Sequence, residues 1–360
     1  MGPERIAVLG AGGFLGSHLV PALVERFGCP IDAVDVSFRK LTSTSPLVRR
    51  LTARVEHPGV VEEITSRCQV VLSLTALCNP ALYNTVPLEV IDANYTHLLP
   101  WVKRCAERGV RLVHFSTSEV YGRMALHTSG ERTPEMNEEQ TGLFLGPVDC
   151  ERWTYACAKQ LLERVIWAHG RHGDLSFTIV RLFNVIGPRM DFLPGEDGEG
   201  TPRVLAAFMN GLLRGEELPM VDGGTRRRTF MSTADLVEAL LCIVERPEAC
   251  RGQILNLGNP ANDVTIRELG ERLAREFAAR VPEAPLARFR DVSAEEMYGP
   301  GYDDSEERVP DIGKARALLG WEPRESLADM LPAIVDDYVR RYGSLLAPLH
   351  PPLAACAGSR

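Results

Sequence analysis

The run RIAVLGAGGFLG at residues 5–16 constrains the fold more than any other part of the chain. An apolar strand pattern ends in glycines and passes directly into the helical pattern GFLGSHLVPALVERF. Gly10, Gly13 and Gly16 are spaced Gly-x-x-Gly-x-x-Gly. The first permits a tight turn, and the third permits close packing of helix on strand. The second, with Phe14 and Leu15 beside it, lets backbone amides at a helix start approach a pyrophosphate. A second strand pattern, IDAVD, ends at Asp35. A carboxylate about 20 residues beyond such a loop accepts hydrogen bonds from the ribose hydroxyls of a dinucleotide. The same charge repels a 2′-phosphate, so NAD is expected in preference to NADP, with Arg39 and Lys40 the nearby cations that argue the other way.

Beyond this loop, short apolar runs alternate with helical patterns: LTARV, QVVLSL, RLVHFS and, after a long helix, FTIVRLF. That alternation predicts an α/β fold, a Rossmann-type doubly wound parallel sheet, with a smaller C-terminal substrate-binding lobe. Residues 1–183 with about 230–257 are expected to form the dinucleotide-binding domain, the strand QILNLG returning to the sheet. Residues 184–229 and 258–345, where Gly/Pro/acidic loops precede a helix near 202–214, are expected to form the second lobe. Residues 346–360 are expected to be a disordered tail. Pro21 lies inside the first helical pattern, where a missing N–H predicts a kink.

Composition narrows the classes of function. A chain of 360 residues, 45% hydrophobic, can bury a large core, and a formal charge of −8 argues against a broad nucleic-acid surface. No apolar run approaches the roughly 20 residues of a bilayer crossing. The start MGPERIAVLG lacks the pattern of a signal peptide. A cytoplasmic protein with no membrane partner is therefore expected. Nine cysteines without a CxxC pair suit a reducing compartment, and neither they nor His169 and His172, at a solvated helix end, form a metal pattern. One basic run, TRRRTF at 225–230, can be a solvated loop or a grip on a phosphorylated small molecule.

RWTYACAKQLLERVIW places Tyr155 and Lys159 at i and i+4, on one helix face. An ammonium near a phenol can lower its pKa, which would make Tyr155 a base for a sugar hydroxyl. Together with the glycine loop and the strand end HFSTSEVYG, this pair resembles the extended short-chain dehydrogenase/reductase family over residues 5 to about 342. In that family Thr117 or Ser118 would hydrogen-bond the reacting sugar. FNVIGPRMDFLPG, PRVLAAF, LPMVDGGTRRRTF, NLGNP and YGPGYDDSEERVPDI further resemble the subgroup that oxidises and decarboxylates UDP-glucuronate, and among its members the plant UDP-apiose/UDP-xylose synthases. The resemblance implies NAD as cofactor and a UDP-sugar as substrate. It assigns Glu119 and Arg308 to decarboxylation of the C4-oxidised sugar, and Asn184, Arg203, Arg228 and Tyr302, with Arg308, to substrate contacts. A guanidinium suits bidentate phosphate recognition, so Arg228 is the expected ligand in TRRRTF, with Arg226 and Arg227 left to solvent. The family usually forms homodimers through the helix that carries the tyrosine.

Cys78, in LTALCNPALYN, has two readings. Free cysteine is commonly a small core hydrophobe. A loop after the fourth strand of a parallel sheet instead faces the ligand, and the apiose synthases resemble this chain there with a cysteine in a matching Leu-x-Ala-x-Cys-x-Pro run. Those enzymes carry a second cysteine where this chain has Ser118, and plain decarboxylases have a serine there. Three functions therefore stand: decarboxylation with ring contraction, in which Cys78 takes part; decarboxylation without contraction; and a non-catalytic dinucleotide-binding sensor or scaffold. A 4-epimerase or 4,6-dehydratase would leave Arg308 without a role.

Overall fold

Apolar runs without polar alternation are satisfied by burial on both faces of a sheet, and the central strands are so buried. The computed structural model describes residues 2–123, 135–299, 303 and 307–346. The sheet contains β1 (Ile6–Leu9), β2 (Ile31–Asp35), β3 (Val48–Thr52), β4 (Val70–Ser73), β5 (Arg111–Thr117) and β6 (Phe177–Leu182) in the order β3-β2-β1-β4-β5-β6. Four short strands follow outside it: β7 (Val185–Ile186), β8 (Glu217–Val221), β9 (Arg227–Thr229) and β10 (Met231–Ser232), with β10 on β7. The expected return strand, β11 (Gln253–Leu257), pairs with β6 and completes seven parallel strands. β12 (Asp263–Thr265) joins β9 and β13 (Arg288–Val292) joins β8.

The helices are α1 (Phe14–Phe27), α2 (Pro58–Arg67), α3 (Pro87–Asn94), α4 (Leu99–Arg108), α5 (Thr154–His172), α6 (Val204–Arg214), α7 (Thr233–Glu245), α8 (Pro247–Cys250), α9 (Ile266–Arg280), α10 (Ala294–Tyr298), α11 (Gly313–Leu319) and α12 (Leu327–Tyr342). α1 and α7 pack on one face of the sheet, and α2, α4 and α5 on the other. A separate core joins α6, α9 and α12 with Leu218, Met220 and Phe230, so the second lobe is assembled from separated pieces. Ile312, Ala315, Leu319 and Trp321 differ from the sequence expectation of a lobe spanning 258–345: they pack into the core beneath the sheet. The expected tail lies outside the described residues apart from Leu346. Among the described residues no helix is long and apolar enough to cross a membrane.

One local expectation is corrected. The strand expected at LTARV begins earlier, at Val48, because the register pairs Ile31 with Val48 and Asp35 with Thr52 on an exposed edge, where the arginines of VRRLT are tolerated. Pro21 lies within α1, which runs on to Phe27. The carbonyl four residues back, Ser17, loses its helical donor and accepts instead from Arg189 Nη2 at 3.4 Å.

The glycine loop turns where the strand order reverses, between β1 and β4. Gly10 has φ +79°, and a Cβ on it would meet the backbone nitrogen of Thr75, after β4, at 3.1 Å. Within this loop the most constrained glycine is one the spacing did not single out. A Cβ on Gly12 would lie 1.8 Å from the carbonyl oxygen of Ser37, and its N–H donates to Asp35 Oδ2 at 2.9 Å. Gly12→Ala is therefore expected to destabilise the fold by about 1–3 kcal/mol, the range for forced overpacking. Urea unfolding checks this, and a midpoint equal to the parent's would show that the loop yields freely.

Candidate active site

Ligands of open parallel sheets bind outside the carboxyl ends of the strands, at the point where the order reverses. There the structure has a cavity of about 1020 Å³, lined from Gly10 and Asp35 at one end to Arg226, Tyr298 and Arg308 at the other. Gly13, Phe14, Leu15 and Gly16 line its first part. A Cβ on Gly16 would meet the carbonyl oxygen of Ala11 at 2.4 Å, as expected of the packing glycine. Arg39 and Lys40 turn away toward the second lobe: Arg39 Nη2 donates to Asp197 O at 3.3 Å, and Lys40 Nζ to Met190 O at 3.0 Å.

β5 ends at Thr117, whose hydroxyl oxygen accepts from the Glu119 N–H at 3.2 Å in the following turn. Ser118, Glu119 and Tyr155 line the cavity there. Tyr155 is buried and stacked on Tyr83 with ring centroids 5.3 Å apart. The expectation that Lys159 lowers the phenol's pKa is not met. Burial, followed by the charges of Cys78 and Glu119, pushes Tyr155 well above its ordinary value, and what opposes this is Thr117 and then Arg203. Lys159 is itself buried, donates from Nζ to the Phe115 carbonyl at 2.9 Å, and is lowered to about 8 by burial, against the pull of Cys78 and Glu163. Glu163, one turn further along α5, accepts from Ser116 Oγ at 2.5 Å and pairs with Arg181 at 2.7 Å, so this part of α5 is locked to β5 and β6.

Glu119 is held from two sides. Its Oε2 is 2.5 Å from Arg152 Nη1 and its Oε1 3.4 Å from Arg308 Nη1, both guanidinium groups being buried. Arg152 was missed in the sequence, although it stands three residues before Tyr155, a spacing that shares a helix face. Its guanidinium also lies 5.4 Å from the Tyr83 ring.

Asn184, Arg203 and Arg228 all line the cavity. Asn184 Nδ2 donates to Thr229 O at 3.0 Å, Arg203 Nε pairs with Asp191 at 3.2 Å, and the buried Arg228 donates to Arg227 O at 2.7 Å. Tyr302 lies outside the described residues. Arg226, expected in solvent, is on the cavity wall, whereas Arg227 pairs with Asp263 at 2.8 Å. Alternation along β9 explains it: Arg226 and Arg228 fall on one face and Arg227 on the other. Cys78 is exposed and lines the same cavity, so it is not core packing.

Residues 6–258 match the model of the NAD dependent epimerase/dehydratase family. The UDP-D-apiose/UDP-D-xylose synthase of Oryza sativa subsp. japonica is 44% identical over 91% of this chain and 87% of its own. UDP-D-apiose/UDP-D-xylose synthase 1 of Arabidopsis thaliana is 41% identical over 94% and 92%. The crystal structure of the PbgP3 protein from Burkholderia pseudomallei superposes with a TM-score of 0.82 at 31% identity, covering 95% of this chain and 98% of that one.

The buried Lys159 predicts a pH signature. Its folded pKa of about 8 lies below the ordinary 10.5, so the unfolded chain binds more protons between those values. The penalty is complete below about pH 8 and relieved as pH rises toward 10.5. Lys159→Met removes it, so the variant's stability relative to the parent should be highest at neutral pH and decline between pH 8 and 10. Urea midpoints across that range check this, and a difference that does not vary with pH would contradict it.

Proposed function

The chain belongs to the NAD dependent epimerase/dehydratase family, and from that membership we propose that it oxidises UDP-glucuronate at C4, removes the carboxylate, and contracts part of the product to UDP-apiose alongside UDP-xylose. The observation that carries this proposal is one carboxylate, Glu119, gripped by the buried Arg152 and Arg308 in the cavity that also holds Tyr155 and Cys78. The synthases of rice and Arabidopsis bear the names of both products, which supports the same view.

The loop suits NAD. Gly12 and Gly16 leave no room for side chains between backbone and helix, Asp35 stands at the end of β2, and Arg39 and Lys40 are engaged by the second lobe. Bound there, NAD would supply oxidation at C4 and later the reduction that restores the alcohol. In the proposal Tyr155 takes the C4 hydroxyl proton, with Thr117 or Ser118 bonding the sugar. Burial makes the phenolate a strong base, and Arg203 with Thr117 favours its formation. The ketone then lies β to the carboxylate, whose loss leaves electrons that the carbonyl accepts. Glu119, oriented by Arg152 and Arg308, handles the proton at C5. Asn184, Arg203, Arg228 and Tyr302 hold the UDP-sugar, and Arg226 is added to them. Contraction needs retro-aldol cleavage between C2 and C3 and a new aldol bond, and Cys78 serves the proton transfers. Ser118 favours a second reading, decarboxylation without contraction, because a hydroxyl is too weak an acid to replace a second thiol.

A homodimer is part of the proposal: α3 packs beside α5, and Leu88 and Ile91 on α3 with Leu161 on α5 are exposed apolar side chains suited to a partner helix pair. A cytoplasmic setting is supported by the cysteines among the described residues, all of them free thiols.

Incubation with UDP-glucuronate and NAD should release carbon dioxide and give UDP-xylose and UDP-apiose, identified by mass spectrometry and NMR. An untouched substrate rejects the proposal, and a product without a branched sugar selects the second reading. Tyr155→Phe should lower the rate about 10²-fold or more, the usual range for a lost general base. Arg308→Ala should instead permit C4 oxidation while slowing decarboxylation. Single-turnover absorbance and carbon dioxide release separate the two, and unchanged gas release in Arg308→Ala would remove it from that step.

A further inference from the structure

Cys78 is the single residue between two anchors that belong to different lobes. On the sheet side, Asn94 Nδ2 donates to the carbonyl of Leu77 at 3.0 Å, and also to Val90 O at 2.8 Å within α3. Asn94 is fully buried, so this anchor is rigid. On the other side, Asn79 Nδ2 donates to the carbonyl of Thr201, two residues before Arg203, at 3.0 Å. Further along the same loop, Asn84 Nδ2 donates to the carbonyl of Tyr298 at 3.3 Å. Asn79 Oδ1 meanwhile accepts from the Ala81 N–H at 3.2 Å, which holds the amide in register. The backbone on one side of the thiol thus follows the sheet, and on the other it follows the segment that leads into Arg203.

We propose that Asn79 is a positioning residue: its bond to Thr201 makes the location of the Cys78 thiol depend on the second lobe, so that the thiol meets the sugar only when that lobe is seated. This rests on the proposed reaction, in which Cys78 serves contraction but not decarboxylation. Loss of the bond leaves the second lobe tied to the loop only at Asn84, six residues beyond the thiol, while the residue before the thiol stays anchored to the sheet side. The fraction of intermediate diverted into contraction then falls, because the competing return to the unbranched pentose does not use Cys78.

Asn79→Ser tests this, since serine keeps an oxygen for Ala81 N–H but cannot reach Thr201. With UDP-glucuronate and NAD, the ratio of branched to unbranched product should fall about fivefold, the factor one neutral hydrogen bond commands. The ratio is independent of overall rate, and an unchanged ratio overturns the proposal. A second measurement does not depend on contraction. Alkylation of Cys78 by iodoacetamide, followed by peptide mass spectrometry to separate it from the exposed Cys157, is compared with and without UDP. UDP lacks the sugar that would cover the thiol, so slower alkylation reports seating of the lobe. UDP should slow it in the parent but not in Asn79→Ser. Equal protection in both, or none in the parent, overturns the proposal. A parent that forms no branched sugar but shows the UDP-dependent difference rejects the contraction reading and retains the coupling.

Discussion

The site depends on a contact between two stretches of backbone. Gly10 follows β1 and Thr75 follows β4, and a side-chain carbon on Gly10 would stand 3.1 Å from the nitrogen of Thr75. The two loops can be that close only because β1 and β4 are hydrogen-bonded neighbours, with residue 10 in the left-handed region that glycine adopts freely. The order reverses at this pair, so the loops diverge beyond the contact and leave a cleft. β5 lies next to β4 and ends in Thr117, which brings Ser118 and Glu119 to the same rim. One local contact therefore sets the dinucleotide loop, the thiol loop and the carboxylate turn side by side.

Within the cleft, burial acts in opposite directions on the two groups of the α5 face. It pushes Tyr155 up and Lys159 down, because both charged forms are disfavoured away from water. Glu119 escapes isolation through two guanidinium groups, and Glu163 through Arg181 and Ser116. Removing one partner from such a pair leaves the other charge buried and alone, which costs more than the pair contributes. The arrangement is thus rigid as well as polar, and rigidity suits a reaction in which several proton transfers must be aimed at adjacent carbons of one ring.

The lobes are joined by bonds that involve several of the residues in question. Lys40 and Arg39 reach from the β2 loop to the carbonyls of Met190 and Asp197, and Arg189 reaches back to Ser17. Pro21 has a place in this junction, since its missing N–H leaves the Ser17 carbonyl open to Arg189. A backbone feature inside α1 is completed by a side chain from the other lobe.

The amino-acid sequence by itself determined the class of fold, the glycine loop with Asp35, the placing of Tyr155 and Lys159 one turn apart on a helix, and the return of QILNLG to the sheet. Each of these rests on local spacing: apolar runs, glycine positions and helical periodicity act over a few residues and leave a visible pattern. Arg228 was legible by its chemistry, whereas Arg226 became so only once β9 gave the run an alternation of faces. Gly12 was hidden because its constraint is the Ser37 carbonyl, which only the β2 loop brings near. Arg152 was hidden because its partner, Glu119, is 33 residues away. The inverted influence of burial on Tyr155, the seat of α11 beneath the sheet and the anchoring of Cys78 between two lobes were likewise decided by tertiary structure. Desolvation and long-range hydrogen bonds depend on what surrounds a group in space, and neighbours in space are what a linear pattern does not contain.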